Sequence, residues 1–171
     1  LLLRFMLALE SIIKGKLQPF TCIGWKRRSQ KKDTNYVVIG TASGDLYIFD
    51  CQKRRLKSII TAHKKAAVLT MTEWKYAAEQ QGNAPFLRII TGGRDGAVHF
   101  WSDKWGKVGQ IVTPNHAPVS SLSVRGDGKH LLIGTQASEI YNISIWPIRN
   151  DSVEQDDKLS NDWYESWKFS A

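Results

Sequence analysis

The sequence has little cysteine, and that shortage excludes two kinds of site. Only two of its 171 residues are cysteines, Cys22 and Cys51, and neither has neighbours at the spacing of metal ligands. We therefore expect neither a zinc site nor a disulfide framework, which fits a reducing compartment.

Long hydrophobic runs are missing as well. The apolar stretch over the first nine residues is interrupted by Arg4 and followed by Glu10. It is therefore too short to span a membrane, and it does not have the layout of a signal peptide. We expect a buried strand there and no membrane partner.

What the sequence does contain is a segment that occurs three times. Residues 87–102, LRIITGGRDGAVHFWS, combine two strand-like runs with a turn rich in Gly and Asp, which is the pattern of a β-hairpin. Segments at 36–50 and 131–144 align with it without gaps. Gly40, Gly92 and Gly134 then correspond, at offsets of 52 and 42 residues.

Repeats of about 40–45 residues with several short strands indicate blades of a WD40-type β-propeller. Propellers close with roughly four to eight blades, so the sequence predicts an all-β, incomplete ring that belongs to a larger propeller. The lack of an initiating Met agrees with part of a longer protein. The predicted units are the end of a preceding blade at 1–19, blades at 20–62, 63–115 (with an insertion at 76–86) and 116–149, and an acidic loop with the start of a further blade at 150–171.

Four polar residues of the middle repeat are candidates for a structural hydrogen-bond network. They are His63 before a strand, Thr91 on the next strand, Asp95 in the turn and Trp101 at the end of the hairpin. In WD40 repeats such residues form a buried chain in which each polar group finds a partner. A catalytic interpretation of the His, Asp and Thr is the less favoured alternative, because the repeat accounts for all of them.

The other two repeats do not have these residues at the aligned positions, so we expect packing to provide most of what holds them together. The pair Asn115-His116 is aligned with Ala62-His63. The remaining histidines, His99 and His130, are interpreted as surface or edge residues without a second metal ligand.

Tryptophans divide into two groups by position. Trp25, Trp74 and Trp101 lie at predicted strand ends, where we expect packing. Trp105 lies in a loop beside Lys104 and Lys107, where contact with a partner is an open alternative to packing.

In consecutive order over roughly residues 10 to 145, the chain resembles one family, the echinoderm microtubule-associated-protein-like (EMAP-like) proteins. The phrases that carry the resemblance are GTASGDLY at 40–47, TGGRDG at 91–96, GT at 134–135 followed by SEI at 138–140, and the lead-in KGKLQP at 14–19. The resemblance implies tandem WD-repeat propellers without enzymatic activity. It also implies association with microtubules in the cytoplasm, spindle or cilium.

Positive charge is concentrated in the first part of the chain, with a net charge of +10 over residues 1–75 and −2 over 76–171. Two loops expected on one face of the propeller carry a candidate patch for an acidic partner: Lys26, Arg27, Arg28, Lys31, Lys32, Lys53, Arg54 and Arg55. Such a patch attracts acidic polymers, and the resemblance suggests the acidic tails of tubulin. Nucleic acid is disfavoured because no aromatic residue is interleaved to stack on bases, and solvated loops without a partner stay open.

These observations lead to two functional hypotheses and disfavour a third. The first is a non-catalytic, microtubule-associated scaffold that binds tubulin or another cytoskeletal protein. The second is a generic WD40 adaptor that assembles other proteins, through the opposite face where Lys64 and Lys65 emerge. An enzyme would need convergent titratable groups in a cleft, so we predict no catalytic residues, cofactor or metal, and no partner beyond proteins and the rest of the propeller.

Overall fold

A computed structural model describes residues 18–26, 36–76, 86–102 and 104–145 of the chain. These residues form eleven β-strands. The strands are β1 (Phe20–Lys26), β2 (Tyr36–Thr41), β3 (Asp45–Asp50), β4 (Arg55–Thr61), β5 (Val68–Tyr76), β6 (Phe86–Gly93), β7 (Ala97–Trp101), β8 (Lys107–Val112), β9 (Val119–Val124), β10 (His130–Thr135) and β11 (Ile140–Ser144).

The strands form three antiparallel sheets in which neighbours in sequence are neighbours in space. The first sheet contains β1 to β4, the second β5 to β8, and the third β9 to β11. The first strands of successive sheets contact each other, β1 with β5 and β5 with β9. Successive sheets therefore stand side by side as blades about one axis, and the described sheets do not close a ring. The prediction of an all-β, open propeller is confirmed.

The turn between the second and third strands has the same backbone form in each sheet. Gly44, Gly96 and Ser138 occupy it with φ angles of 92°, 74° and 60°, at the offsets of 52 and 42 that align the sequence repeats. Glycine favours this left-handed region. At Gly44 a Cβ atom would also lie only 1.7 Å from the carbonyl oxygen of His63, so the turn and the segment before the next sheet pack without room for a side chain.

Two apolar cores lie between the sheets. Alternate residues of β2 and β3, such as Val38 and Ile48, pack against the second sheet. A second cluster joins the second and third sheets through residues such as Val98 and Leu131. Strands with both faces buried consist of near-continuous apolar residues, as the burial of all of β2 and β7 shows.

Trp25 departs from the sequence prediction, because its side chain is 60% exposed and not packed in a core. It pairs with Val37 across β1 and β2, on the face that points away from the second sheet. The other two tryptophans of the prediction, Trp74 and Trp101, are each 3% exposed. Within the described residues, no helix is long and apolar enough to cross a membrane.

Candidate functional site

The four polar residues predicted as a network come from four different parts of the second sheet. His63 lies in the segment that leads into β5, Thr91 on β6, Asp95 in the turn between β6 and β7, and Trp101 at the end of β7. The structure brings all four together. His63 Nδ1 is 3.0 Å from Asp95 Oδ1, His63 Nε2 is 3.0 Å from Thr91 Oγ1, and Trp101 Nε1 is 3.0 Å from the same oxygen.

Only one arrangement of protons satisfies this chain. The indole N–H of Trp101 donates to Thr91 Oγ1, and a carboxylate accepts only. His63 therefore donates from Nδ1 to Asp95, its Nε2 accepts, and the hydroxyl of Thr91 donates to Nε2. Each buried polar group then has a partner, as is usual in native interiors.

The network is closed to solvent where a substrate would need to enter. His63 and Thr91 are fully buried, while the side chain of Asp95 is one-third exposed. Burial lowers the pKa of His63, although the neighbouring Asp95 carboxylate acts in the opposite direction. A neutral imidazole bonded to a buried hydroxyl can orient a strand, but it cannot reach an external molecule.

Gly93 is a network residue that the sequence analysis missed. A Cβ atom at this position would lie 2.2 Å from His63 Nδ1 and 2.3 Å from Asp95 Oδ1. The imidazole and the carboxylate therefore meet directly above the backbone of Gly93. The signal in the sequence is the pair Gly92-Gly93, of which only the first glycine recurs in the other two repeats.

His99 is also part of this site, which corrects its interpretation as a surface or edge residue. Its ring stacks on that of His63, with centroids 4.3 Å apart and planes 4° apart, and only 7% of the residue is exposed. The pairing of His99 with Thr91 across β6 and β7 places it on the network's face. Burial first, and then the positive charges possible on His63 and Lys107, lower the pKa of His99 to about 4.

The flanking sheets have carboxylates of their own at the equivalent turn, so they are not held by packing alone. Asp45, which follows Gly44, accepts hydrogen bonds from the hydroxyls of Ser43 at 2.8 Å and Thr61 at 2.9 Å. Glu139, which follows Ser138, accepts from Asn115 Nδ2 at 2.7 Å and from the hydroxyl of Tyr141 at 2.6 Å. The signal in the sequence is an acidic residue directly after the left-handed residue of the turn.

The segment Asn115-His116 precedes the third sheet as Ala62-His63 precedes the second, so the alignment of the two segments is correct. His116 does not take the place of His63, however. His116 is exposed, and the preceding Asn115 makes the contact to the turn of its sheet. His116 has a φ of 52° and lies against the backbone of Gly96. His130 is half-buried at the start of β10.

Of the candidate acidic-partner patch, only the turn between β3 and β4 can be placed. Lys53, Arg54 and Arg55 are all exposed there. The buried carboxylate of Asp50 fixes this turn by accepting the backbone N–H groups of Gln52 and Lys53, each at 3.0 Å. The side chain of Lys26 and all of Arg27, Arg28, Lys31 and Lys32 lie outside the described residues, as does most of the predicted insertion at 76–86.

The equivalent turn of the second sheet, between β7 and β8, adds two exposed lysines, Lys104 and Lys107. Ser102 Oγ accepts the N–H of Gly106 in this turn at 3.0 Å. Trp105, for which partner contact is one interpretation, is 9% exposed and packs in the core between the first two sheets. The exposed part of this turn is therefore basic and not aromatic.

Metal-binding chemistry has no candidate among the residues that can be described, since they contain no group of three or more His, Cys, Asp or Glu side chains that could hold an ion. Cys22 and Cys51 form no disulfide. Burial raises the pKa of both thiols, so they are poor nucleophiles at neutral pH.

Comparison with solved structures identifies the fold. No protein-family model matches the sequence, and no curated protein does. Solved structures do match. One is a chain of the mitotic checkpoint complex, with a TM-score of 0.57, 16% identity, and coverage of 77% of this chain and 35% of that chain.

A second is a chain of a humanized mutant of the Chaetomium thermophilum Polycomb Repressive Complex 2 bound to the inhibitor GSK126. Its TM-score is 0.64 at 15% identity, over 80% of this chain and 28% of that chain. Both neighbours are WD40 propeller proteins. The chain has a WD40-type β-propeller fold. It spans about a third of the length of the chains it matches, and the likeness supports this fold and not the EMAP-like family in particular.

Proposed function

We propose that this chain is part of a non-catalytic WD40 scaffold that assembles other proteins. The observation that carries the proposal is the closed network: its only nucleophile-like hydroxyl, on Thr91, is fully buried and bonded on both sides. A Ser/Thr nucleophile must reach its substrate, so we assign these residues a structural role in stabilising the blade. What the blade offers to other molecules is its exposed turns.

One end of the blades has the form expected of a rigid binding surface. There the N–H of the residue after the second strand bonds the segment before the first strand: Ala42 to Pro19, Arg94 to Ala67 and Gln136 to Pro118, each at 2.8–2.9 Å. The turn and the segment are thus fixed to each other in every sheet. A surface that is ordered before binding loses less entropy when a partner docks.

This end of the blades, which we call the braced end, carries exposed charge. Lys64, Lys65 and Arg94 are all exposed around the buried His63, and Lys65 has a φ of 61°. The proposed adaptor surface is formed by these three side chains. The two solved neighbours come from multi-protein complexes, which agrees with a role in assembly.

Affinity capture of the full-length protein tests the proposal. The double variant Lys64→Glu and Lys65→Glu should lose a reproducible set of co-captured proteins. The matched control, Lys53→Glu with Arg54→Glu, makes the same charge change at the opposite end and should retain that set. Equal retention by both variants would contradict the braced end as the binding surface.

The basic turns at the opposite end favour a second candidate, an acidic partner. Lys53, Arg54 and Arg55 in one sheet and Lys104 and Lys107 in the next occupy equivalent, exposed turns. An array of this kind speeds encounter with acidic surfaces. The resemblance to EMAP-like proteins makes the acidic tails of tubulin the partner to test, with the cytoplasm and its microtubules, spindle or cilium as the location.

Co-sedimentation with microtubules separates the two candidates. Binding that is lost in the Lys53→Glu, Arg54→Glu variant and retained in the Lys64→Glu, Lys65→Glu variant supports the second candidate. Microtubules from which the acidic tails have been removed should then also fail to bind. Displacement by single-stranded nucleic acid but not by an acidic peptide would instead identify phosphates as the ligand.

A further inference from the structure

Three exposed cations of the braced end lie on two turns that are bonded to each other. Lys64 and Lys65 occupy the turn before β5, and Arg94 begins the turn between β6 and β7. The N–H of Arg94 donates to the carbonyl of Ala67, two residues after Lys65, at 2.8 Å. The backbones that carry the three cations are therefore joined.

The turn that carries the two lysines is itself fixed on both sides. The N–H of Ala66 donates to the carbonyl of His63 at 3.1 Å, and the carbonyl of Gly44 in the first sheet accepts the N–H of His63 at 2.9 Å. A Cβ atom on Gly44 would lie 1.7 Å from the carbonyl oxygen of His63 and 2.5 Å from that of Ala66. The first sheet thus packs closely against this turn, and the lysine side chains extend into solvent from an ordered backbone.

The carboxylates of this end do not neutralise the three cations. Asp95 binds the imidazole of His63 at 3.0 Å and the N–H of Ala97 at 3.1 Å. Asp45 accepts hydrogen bonds from two hydroxyl groups of its own sheet. Within the part of the chain that the structure describes, none of the three cations forms an ion pair. Their charge is therefore available to a molecule from outside.

The third sheet has the same backbone form without the charge. His116 is left-handed there with a φ of 52°, as Lys65 is with a φ of 61°. The N–H of Gln136 donates to the segment before β9, as that of Arg94 does to the segment before β5. The positions of the three cations are occupied in the third sheet by residues without a permanent charge: Asn115, His116 and Gln136. The backbone form therefore does not require the cations.

We propose that Lys64, Lys65 and Arg94 together bind a phosphorylated serine or threonine of a protein partner. The inference rests on the proposed function, because it names the group that the adaptor surface recognises. A phosphoryl group carries about two negative charges at neutral pH and has three acceptor oxygens, and the guanidinium of Arg94 has the geometry to bind two of them in parallel. A single carboxylate would neutralise only one of the three cations. A run of carboxylates fits the opposite end better, since the basic residues there are spread over two sheets.

NMR titration of the full chain tests this inference. The probe is a short peptide of glycine and serine that contains one phosphoserine, and it should shift the amide signals of Lys64, Lys65 and Arg94. The same peptide with glutamate in place of phosphoserine should bind at least about tenfold more weakly, because it offers fewer charge-assisted hydrogen bonds. No shift at these amides, equal affinity for the two peptides, or shifts confined to residues 53–55 would overturn the proposal.

The third sheet supplies the variant for a second measurement. The triple variant Lys64→Asn, Lys65→His, Arg94→Gln places the uncharged residues of the third sheet on the same backbone form, so its urea midpoint should stay close to that of the unaltered protein. Its affinity for the phosphoserine peptide should fall at least about tenfold. The matched control removes as many charges at the opposite end: Lys53→Asn, Arg54→His and Lys104→Gln. An equal loss of affinity in both variants would reduce the binding to general charge attraction and overturn the proposed site.

Affinity capture separates this inference from the proposed function. Treatment of the extract with a protein phosphatase before capture should remove the same co-captured proteins that the Lys64→Glu, Lys65→Glu variant loses. A set of proteins that resists the phosphatase and is still lost in that variant would leave the adaptor function in place. That result would overturn phosphate as the group that the braced end recognises.

Discussion

The two contacts between neighbouring sheets use aligned residues in opposite ways. Towards the first sheet, the second sheet presents Thr91, His99 and Trp101, which are tied into hydrogen bonds and a stacked pair of rings. Towards the second sheet, the third presents the aligned residues Ile133, Tyr141 and Ile143, which pack in an apolar cluster. The same backbone positions thus accept either a polar network or an apolar face.

The two contacts differ in how large a displacement of their side chains they tolerate. The buried donors and acceptors of the network, His63 Nε2, Thr91 Oγ1 and Trp101 Nε1, are satisfied only by one another, so a small displacement leaves a buried group unsatisfied, at a cost of about 1–3 kcal/mol. At the aligned positions of the second contact, Ile133 and Ile143 have no such requirement, and a cavity of about 290 Å³ lies beside them. We expect substitutions to be more damaging in the first contact than at equivalent positions of the second.

The largest effect should come from Gly93→Ala. The added methyl group would lie 2.2 Å from His63 Nδ1, so the network must separate, and we expect the free energy of unfolding to fall by about 4 kcal/mol. Gly126→Ala is the matched control, because a Cβ atom there meets nothing within 4 Å. Urea unfolding measures both, and similar midpoints would contradict the close approach at Gly93.

A smaller loss is expected for Thr91→Val, which keeps the shape and removes the hydroxyl. Trp101 Nε1 then has no acceptor and His63 Nε2 has no donor, which should lower the free energy of unfolding by about 3 kcal/mol. Ile133→Val, at the aligned position of the apolar contact, should cost about 1 kcal/mol. Urea unfolding measures both variants. If Ile133→Val lowered the free energy of unfolding more than Thr91→Val, the proposed difference between the two contacts would be wrong.

Replacing the turn carboxylates should have a still smaller effect. Asn in place of Asp95 can still accept a hydrogen bond from His63 Nδ1, so Asp95→Asn should cost about 1 kcal/mol. Glu139→Gln, the equivalent change in the third sheet, should cost less, because the bond from Asn115 is exposed. Thermal unfolding of the two variants at pH 7.5 provides the measurement.

The first contact should also have a pH dependence of its own. His63 and His99 have lowered pKa values in the folded protein, that of His99 about 4, while unfolded histidine titrates near 6.5. The unfolded chain therefore binds more protons below about pH 6.5, and stability falls from there towards pH 4. His99→Phe should reduce this slope, and an unchanged slope of the melting temperature between pH 6.5 and 4 would contradict a neutral stacked pair.

The fold and the network residues could be predicted because the repeat carries both. The gapless alignment of hairpins located the strands, and His63, Thr91, Asp95 and Trp101 follow the pattern of a WD40 repeat. His99 could have been placed by the same pattern, because it lies two residues before Trp101 on β7 and alternation puts both side chains on one face of the sheet.

Other contacts depend on neighbours that no local pattern reveals. Trp105 is buried because its turn folds against the first sheet, and Trp25 is exposed because it lies on the opposite face of that sheet. The carboxylates of Asp45 and Glu139 were missed for a different reason. They lie two positions after the residue that is aligned with Asp95, so a comparison of aligned positions one by one does not find them.

The protonation state of His63 tests the central claim, that these four residues brace a blade and do not form a reactive centre. Long-range ¹H–¹⁵N correlation spectra of the full chain at pH 7 assign the protonated nitrogen of each imidazole. The structure predicts a neutral His63 with its proton on Nδ1 towards Asp95 and an acceptor Nε2 towards Thr91. A charged ring, or a proton on Nε2, would contradict the network and the function proposed from it.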